Sequence, residues 1–409
     1  LGGVEYKTQI NKLDTISLFA ALSLFLSIVE LLIPKPIPFL RIGLANLPLL
    51  VALSFFSTRE FLTLVLLKIF GQAIVGGTLF SYVFLFSAVG SLSSAVIMMM
   101  LRNLYPRYIG MIGIGVFGAF GSNVAQLFFA AWMIFGGSTK YIAPLFLLVG
   151  TLSGALLGGI TDFVLTRSHW LRSYGGSTGV VHPSEKGLAA EHQGHKSSQA
   201  LYLLLIGLLM IPAFVLQSQL WLKGLQMALI LLYGLCLGGR VRILPGLLLV
   251  SAVTAASLLT PLGRVIGSVL DFPITLGALE QGLHRGLNLV GLVYISRSAV
   301  SSKLRIPGRL GNLLYRVFFY FEELTSIRLH RGRSENFLSG IKERLLYIDQ
   351  ALLNWARGGQ LSAEERRERG SAHRGDSMNI LYPALFLGIH WFLFLSAEIF
   401  PDFWLTLLT

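Results

Sequence analysis

Charge is what this 409-residue sequence has least of: 13% of its residues are charged while 54% are hydrophobic, against roughly 25% charged in an ordinary soluble domain. That shortage excludes a solvent-covered globule, because there is too little charge to coat one. One cysteine, Cys236 inside an apolar run, excludes a disulfide framework and a thiolate metal site. The six aspartates, Asp14, Asp162, Asp271, Asp349, Asp376 and Asp402, never come within five residues of each other. The paired aspartate-rich motifs that bridge Mg²⁺ to a diphosphate substrate are therefore missing. No Gly-x-x-x-x-Gly-Lys-Ser/Thr sequence cradles a nucleotide. No Ser/His/Asp or Cys/His arrangement is legible, so the chain is not expected to be an enzyme. Of the eight histidines, His182, His192 and His195 crowd a polar stretch that reads as a solvated loop rather than a metal site. His284 and Arg285 follow Glu280 and read as local ion pairing.

What remains is apolar length. Six runs come first, near 16–33, 44–56, 61–77, 79–101, 109–134 and 142–165. Most approach the roughly 20 residues that carry a helix across about 30 Å of hydrocarbon. Residues 169–199, rich in Ser, Gly and His, read as a cytoplasmic linker. Further runs lie near 200–216, 224–238, 243–260, 283–296 and 380–397, with 262–278 ambiguous. The expectation is an all-α integral membrane protein of about eleven crossings, divided as 1–168, 169–199 and 200–409. Leu1 to Asp14 show no removable signal peptide.

Basic residues mark cytoplasmic loops. With the N-terminus inside, the first six runs leave nine inside (Lys7, Lys12, Arg59, Arg102, Arg107, Arg167, Arg172, Lys186, Lys196) and three outside (Lys35, Arg41, Lys140). Residues 297–378 also fall inside, with fifteen Lys/Arg against nine Asp/Glu, and the C-terminus falls outside. The net charge of +13 is thus a cytoplasmic-loop signal at an inner membrane, not a nucleic-acid footprint.

Polar residues at membrane depth carry the most information, because lipid cannot satisfy them. Arg41 and Asn46 flank the second run, Lys68 and Gln72 sit one turn apart on the third, and Asn123 and Gln126 sit three apart on the fifth. Each pair shares a helix face. These six form a candidate pocket for a small polar or anionic molecule; interhelical hydrogen bonding is the alternative. The many glycines and serines of these runs, Gly90, Ser91, Gly118, Gly154 and Gly158 among them, suit close helix packing. Pro34-Lys35-Pro36-Ile37-Pro38 is too proline-rich for a helix and would be an outer lid or connector.

Arg41-Ile42-Gly43-Leu44-Ala45-Asn46 resembles the basic-x-Gly-Leu-Ala-Asn signature of the Gx transporter family, also labelled heptaprenyl diphosphate synthase component I. Gly77-Thr78-Leu79-Phe80, Phe86-Ser87-Ala88-Val89-Gly90 and Gly118-Ala119 with Asn123 and Gln126 fit the same family, over about residues 10–170. One departure is Ser122, where the family usually has His before the Asn. The resemblance implies a six-helix substrate-binding bundle like the S components of energy-coupling factor (ECF) vitamin transporters.

Residues 310–358 hold two amphipathic patterns. Leu314, Val317, Phe318, Phe321, Leu324 and Ile327 share one face, as do Phe337, Ile341, Leu345, Ile348, Leu352 and Trp355. Both helices are expected along the inner membrane surface or against each other. They end alike, at His330-Arg331-Gly332 and Ala356-Arg357-Gly358. Capping explains one such ending. The pair resembles the Ala-Arg-Gly motifs of the ECF T component, over roughly 200–397. That resemblance implies that Arg331, Gly332, Arg357 and Gly358 meet separate cytoplasmic ABC-type ATPases. ATP would be used by those partners, with no cofactor in this chain. His330 departs from the usual Ala, which makes Arg357 the better match. The expected function is a fused binding-plus-coupling subunit of an importer. Its alternatives are a membrane accessory protein or enzyme of isoprenoid or quinone synthesis, and a membrane partner in flavin handling or electron transfer.

Overall fold

The computed structural model describes residues 12–32, 43–168, 196–236, 243–260, 262–269, 272–300, 309–326 and 381–399. They are mostly helical. The helices are α1 (Lys12–Leu32), α2 (Leu47–Ala52), α3 (Thr58–Val75), α4 (Tyr82–Arg102), α5 (Met111–Ala130), α6 (Thr139–Arg167), α7 (Lys196–Val215), α8 (Leu220–Cys236), α9 (Ile243–Leu258), α10 (Leu276–Ala299), α11 (Arg309–Ser326) and α12 (Leu381–Ile399). Four stretches, Lys12–Glu30, Tyr82–Arg102, Met111–Ile134 and Gly136–Arg167, are long and apolar enough to cross a membrane by length and composition. Shorter apolar helices, Leu201–Val215, Leu220–Cys236, Ile243–Leu258 and Pro383–Ile399, accompany them. This is the make-up of a membrane-embedded protein.

The purely helical expectation is corrected at 262–278. There the chain forms an antiparallel hairpin, β1 (Val265–Val269) with β2 (Phe272–Thr275). Its β-branched and aromatic content (Val265, Ile266, Val269, Phe272, Ile274, Thr275) favours strands. Gly263 at φ 81 turns the chain into it, and Leu262 N–H donates to Thr275 Oγ1 at 2.9 Å. Pro273 is tolerated because a two-stranded sheet has only edge strands. The expected run 44–56 is also shorter as a helix: Leu44–Asn46 form a 3₁₀ turn before α2.

Small residues set the helix spacing. α5 and α6 run antiparallel, with Gly115 against Gly154 and Gly158. α9 and α10 do the same, with Gly282 against Thr254 and Gly286 against Val250. A Cβ at Gly282 would lie 2.8 Å from the Thr254 Cα, where no side-chain rotation gives relief. Gly282→Leu should therefore cost about 3 kcal/mol through overpacking. The midpoint of thermal unfolding in detergent reads this, with Gly224→Ala, which meets nothing within 4 Å, as the neutral control.

One end of the first group is marked by charge. Lys12 Nζ lies 3.4 Å from Glu60 Oε1, and Arg102 Nη1 donates to Phe56 O at 2.6 Å. Here α3 starts with a capping box: Ser57 N–H donates to Glu60 Oε2 at 2.8 Å, and Glu60 N–H donates to the Ser57 hydroxyl. The Ser57 backbone N–H and then its hydroxyl hold the Glu60 carboxyl below the usual range, with Lys12 adding to them and partial burial opposing. A depressed carboxylate contributes stability that is present above its unfolded pKa and lost as pH falls through the folded value. Glu60→Gln should thus unfold earlier than wild type at neutral pH, the gap closing below about pH 4. Ser57→Ala should cost about 1 kcal/mol. Thermal midpoints across a pH series check both; equal midpoints at pH 7 would remove the cap from the account.

The opposite end of the first group, residues 77–81 and 131–138, carries α10. Arg285 Nη1 donates to Ile134 O at 3.2 Å, Leu289 packs with Tyr82, Phe86 and Ile134, and Phe80 N–H donates to Ser296 Oγ at 3.0 Å. Gly77, at φ 59, lies against the Arg297 backbone. Arg285 and Arg297, about 18 Å apart along the helix, thus both meet this end. The sequence frame puts Arg297 inside and Gly77 outside, and the contact between them does not fit that frame.

α11 is the first of the two amphipathic helices. Leu314, Val317, Tyr320 and Leu324 are buried in one cluster with Ile16, Leu18 and Phe19 of α1 and with Phe61 and Leu64 of α3. One face of the helix thus docks on α1 and α3. Asp14, buried in the first turn of α1, supplies the reason: Arg316 of α11 donates to its carboxylate. The second pattern, Phe337 to Trp355, lies outside the described residues, as do Pro34 to Leu40 and the linker 169–195.

Candidate functional site: a polar belt in the first helical group

The signature segment Gly43–Asn46 is pinned from two sides. Glu30, near the end of α1 and 6% exposed, accepts the backbone N–H of Gly43 at 3.1 Å and that of Leu44 at 2.9 Å. Gly43 sits at φ 79, in the left-handed region, which is why glycine stands there. The 3₁₀ turn then closes with Asn46 N–H donating to Gly43 O at 2.8 Å. It delivers the Asn46 carboxamide to Lys68 on α3. Lys68, 3% exposed, donates to Asn46 Oδ1 and to Ser91 Oγ on α4 at 3.2 Å. Three elements thus converge on one buried ammonium, which is costly unless its N–H groups are used.

Polar groups continue beyond Ser91. Its neighbour Gly90 faces α5, where Gln126 Nε2 donates to the Ser122 hydroxyl at 3.3 Å. A side chain at 90 would collide with both. Asn123 points instead to α6, donating to Phe146 O at 3.3 Å and lying over Gly150. On the same helix, Leu157 reaches Gly43. Polar groups therefore stand on the 3₁₀ turn before α2 (Asn46), on α3 (Lys68, Gln72), on α4 (Ser91) and on α5 (Ser122, Asn123, Gln126). Asn46, Gln72, Asn123 and Gln126 are half-buried, and Gln72 makes no side-chain hydrogen bond among the described residues.

The structure brings Asn46 and Lys68 into direct contact. Asn123 and Gln126 are engaged elsewhere: Asn123 with Phe146 O on α6, and Gln126 with Ser122 on its own helix. Arg41 lies outside the described residues, as do Arg331, Gly332, Arg357 and Gly358. Glu30 and Ser91 went unread in the sequence. Glu30 is the one acid within its apolar run, and that isolation was the available signal. Ser91 was counted with the small packing residues. Ser122, the departure from the expected His, is occupied as the acceptor for Gln126.

Chemically, the belt offers an ammonium that only donates, carboxamides that do both, and a hydroxyl. Lys68→Arg should fail to substitute, because the planar guanidinium is larger and cannot place one nitrogen between Asn46 and Ser91. It should behave like a loss of function in any ligand-retention assay.

No curated protein and no solved structure matches the chain. Residues 199–302 match the model of a domain of unknown function. Residues 19–164, which contain the whole belt, match the family model described as heptaprenyl diphosphate synthase component I.

Proposed function

We propose that the chain is a membrane subunit of an ECF-type importer, capturing a small polar or anionic molecule at the belt of Asn46, Lys68, Gln72, Asn123 and Gln126. The observation that carries this reading is Lys68, buried and shared between Asn46 and Ser91 on a segment pinned by Glu30. A purely structural lysine at that depth adds little that an apolar residue would not. Arg41, next to the pinned turn in sequence, would add a second cation for an anionic substrate. Mass spectrometry of small molecules retained through mild-detergent purification tests this. A single vitamin-like or precursor species, lost in Lys68→Met, is the expected result; the same species retained by Lys68→Met would sink the assignment.

In this reading the 200–409 unit couples uptake to separate cytoplasmic ATPases through Arg331 and Arg357. Support comes from the paired Arg-Gly endings and from α11, which ties the segment just before Arg331 to α1 of the binding unit. ATP-binding subunits should co-purify with wild type and be lost on Arg331→Glu with Arg357→Glu. The proposed location is the inner membrane with the N-terminus in the cytoplasm.

A further inference from the structure

A second buried cation lies far from the belt. Lys223, in the first turns of α8, is 1% exposed. Its ammonium donates to His284 Nδ1 at 3.3 Å, lies 3.5 Å from Val215 O, and stands 5.9 Å from the centre of the Phe214 ring. All three partners are neutral acceptors, since Nδ1 can accept from an ammonium only as an unprotonated nitrogen. No carboxylate pairs with Lys223 among the described residues.

The surroundings hold further unmet polar groups. Gln217, 1% exposed, accepts the Gln219 N–H through Oε1 at 3.3 Å, and its Nε2 has no acceptor. Gln226, one turn beyond Lys223 and fully buried, spends its Nε2 on Ala213 O and His390 O and leaves Oε1 without a donor. Buried polar groups are normally satisfied, and those that are not point to an absent partner. Around the uncompensated charge of Lys223 the unmet groups are one amide donor, Gln217 Nε2, and two amide acceptors, Gln219 Oε1 and Gln226 Oε1.

We propose that Lys223, Gln217 and Gln226 form an anion site in the second helical group, taking one compact carboxylate or phosphate group that enters past His284. His284 is half-buried and covers the ammonium, while Ser218 and Glu280 at the rim are exposed. Glu280, one turn before His284 on the same face of α10, sets the charge of the occupant. Its carboxylate at the mouth selects a single negative group over a polyanion. The Gln226 Oε1 suits a hydroxyl next to that group. The group belongs either to a free small molecule or to a phospholipid headgroup, since both present the same oxyanion.

The test uses the full chain in nanodiscs. Thermal midpoints are measured in phosphatidylcholine alone, with added acetate, with added inorganic phosphate, and with phosphatidylglycerol in the bilayer. Wild type should rise in at least one of the last three. A rise with acetate or phosphate identifies a free ligand, and a rise with phosphatidylglycerol alone identifies lipid. Lys223→Met should unfold later than wild type in phosphatidylcholine, because an unbalanced buried charge is gone. Its apparent affinity for the effective anion should be at least about tenfold weaker. His284→Ala keeps the ammonium and should keep the rise. If Lys223→Met unfolds earlier, or no anion moves the wild-type midpoint, the site is structural and the proposal is overturned. Neither result touches the Lys68 reading, which is scored by retained small molecule.

Discussion

Lys68→Met should lower affinity for the retained molecule about 100-fold, equivalent to about 2.7 kcal/mol. The argument runs through what stays behind. Methionine fills the lysine stem's volume, so α3 keeps its packing against Phe61 and Leu64 neighbours. The Asn46 carboxamide and the Ser91 hydroxyl lose their shared donor, and an anionic ligand loses its cation. Hydrogen bonds to charged groups contribute about 1.5–3 kcal/mol each, which sets the scale. Ser91→Ala removes one acceptor only and should fall between wild type and Lys68→Met. Binding isotherms with the molecule identified by mass spectrometry check the series. Equal affinities in all three proteins would place the ligand elsewhere.

The second large effect is structural. Asp14 is 2% exposed and the Arg316 side chain 15%, so their ion pair is shielded from water. Breaking such a pair from one side costs about 3–5 kcal/mol, mostly because the remaining charge is stranded. Asp14→Leu should therefore release α11 from α1, leaving Arg316 without a carboxylate. Limited proteolysis in detergent would read this as new cleavage near 309–326, ahead of any loss of the helical signal. Combining Asp14→Leu with Arg316→Met should recover most of the loss, because Leu314, Val317, Tyr320 and Leu324 still bury their apolar face. A double variant as protease-sensitive as the single one would mean that the charges specify the docking rather than merely tolerate it.

Apolar length made most of the fold legible. The runs at 79–101, 142–165 and 380–397 correspond to α4, α6 and α12 within a few residues, since a crossing helix is fixed by hydropathy and little else. The hairpin was not legible, because a short β-branched run flanked by glycine fits either period. Nor was the place of α11. Its amphipathic face announced that something covers it, but a helix pattern does not name its partner. That choice rests on Asp14, some three hundred residues away, which read as a polar residue before a membrane run. In the site, Lys68 and Asn46 stood out because charge and amide are rare at depth. Glu30 did not, because it acts on backbone N–H groups, and backbone geometry leaves no mark beyond the glycine at 43. The contact of α10 with residues 77–81 and 131–138 was not legible for another reason. Hydropathy reports that a helix is buried in something apolar, not whether that is lipid or another part of the protein.

The Asp14–Arg316 pair also sets a clock on biosynthesis. Its members are separated by 302 residues, which a ribosome adds in about 15–60 s at roughly 5–20 residues per second. Throughout that interval α1 has been made and its eventual counter-ion has not. The first helical group must therefore hold an acid at the start of a nascent helix until Arg316 has been added, and the docking of α11 on α1 can only follow that.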